Sequence, residues 1–165
     1  ARLLVNFSKT YPYALEARRL LAEVNETLKE EDFGKRKRDK YINAIQQDLL
    51  DKYEPVLRQM TVTQGKLLIK LIGRETGLTP YEIINDYKNG MAAGVWQGIA
   101  KIFGGDLKKT YDPEGVDWKT EELVQIWNKG QFAQLYMSVH GRPPQIPVIK
   151  HDTEEKKGKR RNRRG

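Results

Sequence analysis

Four acidic residues fall close together in one stretch: Asp106, Asp112, Glu114 and Asp117. Carboxylates at short spacing are the raw material of a calcium site, since the ion takes about six to eight oxygen ligands. The spacing matches no EF-hand loop. Two of the four also have local tasks, because Asp112-Pro113 is a turn dipeptide and Asp117 stands where a helix N-cap belongs. These acids are therefore expected to be structural, and no metal site is expected. The two histidines, His140 and His151, are too few for a histidine-rich metal centre. His140 stands beside Gly141 at an expected helix C-terminus, where the helix dipole favours a cation. With no cysteine in the chain, disulfides, thiolate metal sites and cysteine nucleophiles are excluded. No serine lies in a nucleophile-elbow pattern, and no glycine-rich phosphate loop is present, so no cofactor is expected.

The elements that must position these groups read as helices. Ala14, Ala17, Leu21, Val24 and Leu28 recur at steps of 3, 4, 3 and 4. That spacing makes one apolar stripe, and Pro12 suits a first turn, so a helix is predicted over about 12–31. Leu3, Leu4 and Phe7 predict a further short helix upstream. Ile42, Ile45, Leu49 and Tyr53 mark a second long helix, broken or kinked near Pro55. Leu67, Leu68, Leu71 and Ile72 form the face of a third, ended by Gly77. Thr79-Pro80-Tyr81-Glu82 is a capping box with proline at the first helical position. The helix it starts uses Ile83, Ile84 and Tyr87, and another follows on Val95, Trp96, Ile99, Ile102 and Phe103 up to Gly104-Gly105. Gly90, Gly94 and Gly98, at steps of four, suit close helix packing. Leu123, Val124, Ile126 and Trp127 make the next helix, and Phe132, Leu135, Tyr136 and Val139 the last. Beyond it, Gly141 to Pro147 must leave helix, and Ile146–Ile149 alone could add a short edge strand. The fold class is all-α. A compact helical domain over 1–140 is followed by an extended proline-containing segment over 141–155 and a basic tail over 156–165.

The 165 residues, 38% hydrophobic, suffice for one modest core. No run approaches the ~20 apolar residues that span a bilayer. The net charge is +8, and seven of those charges sit in the tail on Lys156, Lys157, Lys159, Arg160, Arg161, Arg163 and Arg164. Residues 1–155 carry 23 basic against 22 acidic side chains and are nearly neutral. A self-repelling block without an apolar face is expected to stay disordered until an anionic partner meets it. Lys35-Arg36-Lys37-Arg38, flanked by Glu30, Glu31, Asp32 and Asp39, reads as a charged helix junction. The body thus lacks a basic face and shows no known nucleic-acid reader, so nucleic acid is not the expected partner. A first residue Ala1 rather than Met reads as a processed or truncated chain.

Two resemblances add to this reading. Arg74-Glu-Thr-Gly-Leu-Thr-Pro80, followed by Gly94-Val-Trp-Gln97, is similar to lytic transglycosylases and goose-type lysozymes. The likeness implies Glu75 as general acid/base in glycan-strand cleavage, a task that burial of a single carboxyl favours. The proline that follows the second motif in those enzymes is missing here. The alternative makes Arg74 and Glu75 helix-end charges paired with neighbours, Gly77 a C-cap and Trp96 a core residue, and it is the preferred expectation. Lys9-Thr-Tyr-Pro-Tyr-Ala14, Thr61–Ile72, Arg74–Gly77, Trp96-Gln97, Phe103-Gly104 and Tyr111-Asp-Pro113 together resemble a domain-of-unknown-function family of Bacteroidetes. The likeness covers about 5–130. It implies a small periplasmic or otherwise envelope protein whose precursor carries a secretion signal, with no catalytic residues to transfer. An accessory role in a phylum-specific machine, such as type IX secretion or gliding, would suit that distribution. The expected function is a non-catalytic interaction module whose contact residues are Arg142, Pro143 and Pro144 together with the seven basic tail residues, facing an acidic surface of an envelope protein.

Overall fold

The structure, a computed structural model, describes residues 1–30, 34–79, 81–82 and 108–150, apart from the side chains at 46, 49 and 50. It is all-helical: α1 runs over Arg2–Glu30, α2 over Lys35–Gln59, α3 over Val62–Thr76, α4 over Trp118–Asn128 and α5 over Phe132–His140. No strand occurs among the described residues, Ile146–Ile149 included.

The first helix departs from expectation. One continuous α1 replaces the short helix and the separate one starting at Pro12, and Pro12 lies in its interior. An interior proline removes a backbone hydrogen bond and crowds the preceding turn, at about 3 kcal/mol. Packing on both sides of it outweighs that. Leu4, Phe7, Tyr11 and Ala14 are all buried, continuing the expected stripe upstream at the same 3, 4, 3 spacing. Phe7 and Tyr11 alone are worth roughly 1.5–3 kcal/mol each on burial. Ser8 and Thr10 satisfy their buried hydroxyls by donating to the Val5 and Asn6 carbonyls, at 2.8 Å each.

The core is built where α1 meets α3, α4 and α5. Leu67, Leu68 and Leu71 of α3 and Leu123 and Val124 of α4 close around Phe7 and Tyr11. Aromatic rings join the layers: Tyr11 meets Trp127 edge-on at 5.4 Å, and Phe7 meets Phe132 at 5.3 Å. α2 stands against the outer half of α1, where Tyr53 meets Tyr13 edge-on at 5.9 Å. It stays helical through Pro55 to Gln59, without the expected break.

Several ends follow the local rules. Gly77 adopts the left-handed conformation, φ 74°, that ends α3. The Thr79–Glu82 capping box forms, with the Glu82 N–H donating to Thr79 Oγ1 at 3.1 Å and the Thr79 N–H to Glu82 Oε2 at 2.7 Å. A second box at the start of α3 joins Thr61 and Gln64. Gln64 also donates to Asn6 Oδ1 at 3.1 Å, which locks the α3 cap onto α1. The helices expected over 83–103 and the tail from His151 on lie outside the described residues.

Gly73 is the tightest point of α3. A Cβ there would stand 2.8 Å from the Leu78 carbonyl oxygen, and backbone cannot swing aside. At Gly65, one turn into the same helix, a Cβ meets nothing within 4 Å. Gly73→Ala is expected to destabilise the domain by about 1–3 kcal/mol. Gly65→Ala is expected to be neutral or to stabilise by up to about 1 kcal/mol. Urea melts of the two variants check the contrast.

Candidate functional site

Charged groups converge where the C-terminal half of α3 meets α1 and the start of α4. Lys70 and Arg74 lie four residues apart on one face of α3, and Asp117 and Glu121 lie four apart at the start of α4. The two pairs meet rung by rung. Lys70 Nζ reaches Asp117 Oδ1 at 2.7 Å, and Arg74 forks onto Glu121 through Nε at 3.1 Å and Nη2 at 2.9 Å. Such a bidentate guanidinium–carboxylate pair is stronger and more directional than a single contact.

Glu75 turns the other way, towards α1. Its side chain is only 1% exposed. Tyr11 donates its hydroxyl to Oε1 at 2.7 Å, Arg74 Nη1 donates to the same oxygen at 3.0 Å, and Arg18 Nη1 donates to Oε2 at 2.9 Å. Tyr11 and Arg18 are seven residues apart, two turns of α1, and so share the face that meets α3. The three acids and three bases of the seam balance in charge.

The seam perturbs its members in consistent directions. The fork to Arg74 is the main cause that holds the Glu121 carboxyl below the usual carboxylate range, and Gln125, donating to Glu121 at 2.8 Å, adds to it. The hydrogen bond to Glu121 in turn raises Arg74. Burial raises Tyr11 first and its bond to Glu75 second. Burial likewise raises Tyr111, and then the negative charge of Glu121 beside it. The Tyr111 hydroxyl is buried and faces that carboxylate without a hydrogen bond of ordinary geometry.

Of the residues singled out from the sequence, Arg74 and Glu75 are paired at the end of α3. Asp112 holds its turn by accepting from the Gly115 N–H at 2.9 Å, and a Cβ at Gly115 would run into the Asp112 carboxylate. Asp117 occupies the N-cap position of α4, but its side chain makes no capping bond. It accepts instead from Lys70 and from the Asp112 N–H at 3.0 Å, because a lysine ammonium across the seam competes better for the carboxylate than the helix's own N–H groups. Glu114 is exposed. Among the described residues no three acidic or histidine side chains come together. His140 ends α5 with its ring 4.4 Å from that of Tyr136, its Nε2 buried and without a hydrogen bond. Arg142 and Pro143 are exposed and Pro144 half-buried. Asp106, His151, the glycines at 90, 94 and 98, Trp96 and Gln97, and all seven basic tail residues lie outside the described residues.

Reading the sequence missed Tyr11, Arg18, Lys70, Glu121 and Tyr111 as members of one cluster. The four-residue spacings of Lys70/Arg74 and Asp117/Glu121 were visible, but which helices face each other was not.

These features define an all-α domain whose buried polar groups are matched to one another across helix junctions. The chain belongs to the family described as domain of unknown function DUF4294, whose model matches residues 1–126. No curated protein and no solved structure matches it. The family match stops inside α4, yet Trp127, Phe132 and Tyr136 just beyond it complete the core aromatic cluster. No described helix is long and apolar enough to cross a membrane.

Two outcomes follow from the seam. A carboxyl depressed by folding contributes stability that is present above its unfolded value, 4.5, and is lost as pH falls through the folded one. The domain is therefore expected to lose stability below about pH 4.5, and Glu121→Gln should flatten that limb; thermal melts between pH 3 and 7 check it. Glu75→Ala removes the acceptor of the Tyr11 hydroxyl and should cost about 1–3 kcal/mol. Glu75→Gln keeps an acceptor oxygen, so its loss in the same denaturant melts should be smaller.

Proposed function

We propose that the chain is a non-catalytic interaction module of the cell envelope that meets an acidic surface of a partner protein through its C-terminal arm. The arm is the single observation behind this reading. After Gly141, φ 68°, the backbone leaves α5 and runs to Lys150 without helix or strand. Arg142 and Pro143 are exposed on it, and the basic residues from Lys156 onward follow directly in the sequence. An extended segment offers its backbone and alternate side chains to a partner at once. The envelope setting, and within it the periplasm and a phylum-specific machine such as type IX secretion or gliding, rests on the resemblance to Bacteroidetes proteins with secreted precursors.

The competing reading makes Glu75 the general acid/base of a peptidoglycan-cleaving enzyme. Against it stands the company Glu75 keeps: its three partners all offer it hydrogens, and two are cations. A general acid needs surroundings that favour its protonated form, and nearby cations favour the carboxylate.

Tagged protein purified from its native membrane in mild detergent is expected to bring down an envelope protein, and a chain lacking 141–165 is expected to lose it. Strictly monomeric recovery of the full chain overturns the module. Product release from purified peptidoglycan that disappears in Glu75→Gln overturns its non-catalytic character.

A further inference from the structure

The exposure of the arm alternates. Ile146, Val148 and Lys150 are exposed, whereas Pro147 and Ile149 between them are half-buried. Extended backbone sends successive side chains to opposite sides, so Pro147 and Ile149 lean on the protein while their neighbours face out. The outward face of a surface strand is ordinarily polar. Here it presents Ile146, 41% exposed, and Val148, 92% exposed.

The backbone is unpaired as well. Among the described residues no backbone–backbone hydrogen bond involves any group of 142–150. The segment is nonetheless anchored, because Lys52 of α2 donates to the Lys150 carbonyl at 2.7 Å. In strand pairing, alternate residues turn their N–H and C=O to the same edge. Ile146, Val148 and Lys150 share one edge, and Pro147 falls on the other, so its missing N–H takes nothing from the first. Prolines in sheets are confined to such non-pairing positions.

We infer that Ile146–Lys150 docks by adding a strand to an open sheet edge of the partner protein, with Ile146 and Val148 entering apolar pockets and acidic residues rimming that edge. The inference rests on the module reading and names how its arm is received. Charge selects the partner over a second copy of this chain: pairing two arms would bring together two segments of seven basic residues each. A sheet edge rimmed by carboxylates would instead attract the one it receives.

The test places a photoreactive amino acid singly at each position from 145 to 150, and at 158 in the tail, in the full-length chain, mixed with an envelope fraction of the source cells. Expected is strong crosslinking from 146 and 148 and weak crosslinking from 147 and 149, to one protein and to a peptide that forms a strand edge beside acidic residues. Val148→Pro, which removes an edge donor, should weaken retention of that protein by at least about tenfold. Val148→Thr keeps the donor and the branched shape and should retain most of it. Circular dichroism should show both variants folded, since the site is on the surface. Even crosslinking along 145–150, capture of a second copy, a helical target or retention unchanged in Val148→Pro overturns strand addition. Capture from 158 alone leaves the module standing and removes the strand, whereas capture from neither arm nor tail removes both.

Discussion

A carboxylate taken out of water must have its charge answered within the protein, and the arrangement of α1, α3 and α4 is set by how that is done for Glu75. Its three donors come from two helices: Tyr11 and Arg18 on α1, and Arg74 beside it on α3. Arg74 then spends its remaining donors on Glu121 of α4. One guanidinium thus links two carboxylates on two helices, and shifting any one of the three elements leaves at least one buried charge short of partners. Leaving such a group uncompensated is far more harmful than the intact pair is beneficial. The seam therefore acts less as a source of stability than as a constraint on register. Hydrophobic burial of Phe7, Tyr11, Leu71 and Val124 drives the helices together, and the charges decide at which turn they meet.

The all-α class and the boundaries marked by strong local chemistry were legible. Gly77 and Gly141 end their helices because only glycine adopts the left-handed turn cheaply, and the Thr79–Glu82 box forms from its own side chains. Where tertiary packing overrides a local rule, the sequence misled. Pro12 marks a helix start by propensity, yet the apolar stripe through Leu4, Phe7, Tyr11 and Ala14 runs straight across it, and the packing of those side chains on α3 exceeds the proline's cost. Asp117 shows the same conflict at a cap. A lone helix would draw its carboxylate onto the first N–H groups, but Lys70 reaches it from another element. The site was half legible: Arg74 and Glu75 stood out as residues with partners to find, while Tyr11 lies 64 positions from Glu75, a separation across which no periodicity speaks.

The aromatic cluster changes how the far end of the chain is understood. Phe132 and Tyr136 lie past the stretch that matches the family, yet both are buried, and Phe132 touches Phe7 and Trp127. Deleting α5 would open the core over α1 rather than trim an appendage. Gly141 consequently leaves the domain at a point fixed by packing, and the arm's other end is tied to α2 through Lys52 and the Lys150 carbonyl.

A segment held at both ends is partly ordered before anything binds it. Fixing a residue's backbone costs roughly 1–2 kcal/mol, and a partner engaging a free tail must meet that cost for every residue it orders. Between Gly141 and Lys150 much of it is already met by the domain, with Pro143, Pro144 and Pro147 each locking φ in addition. Prolines at three of these positions forfeit backbone donors, which is a poor bargain inside a sheet but a good one for a ligand that needs one pairing edge and a stiff approach. The same economy explains why apolar Ile146 and Val148 are tolerated in the open. Their neighbours Pro147 and Ile149 hold the backbone against the protein, so the exposed side chains stand at fixed places instead of collapsing onto the surface, and binding energy gained at them is not consumed in ordering the chain.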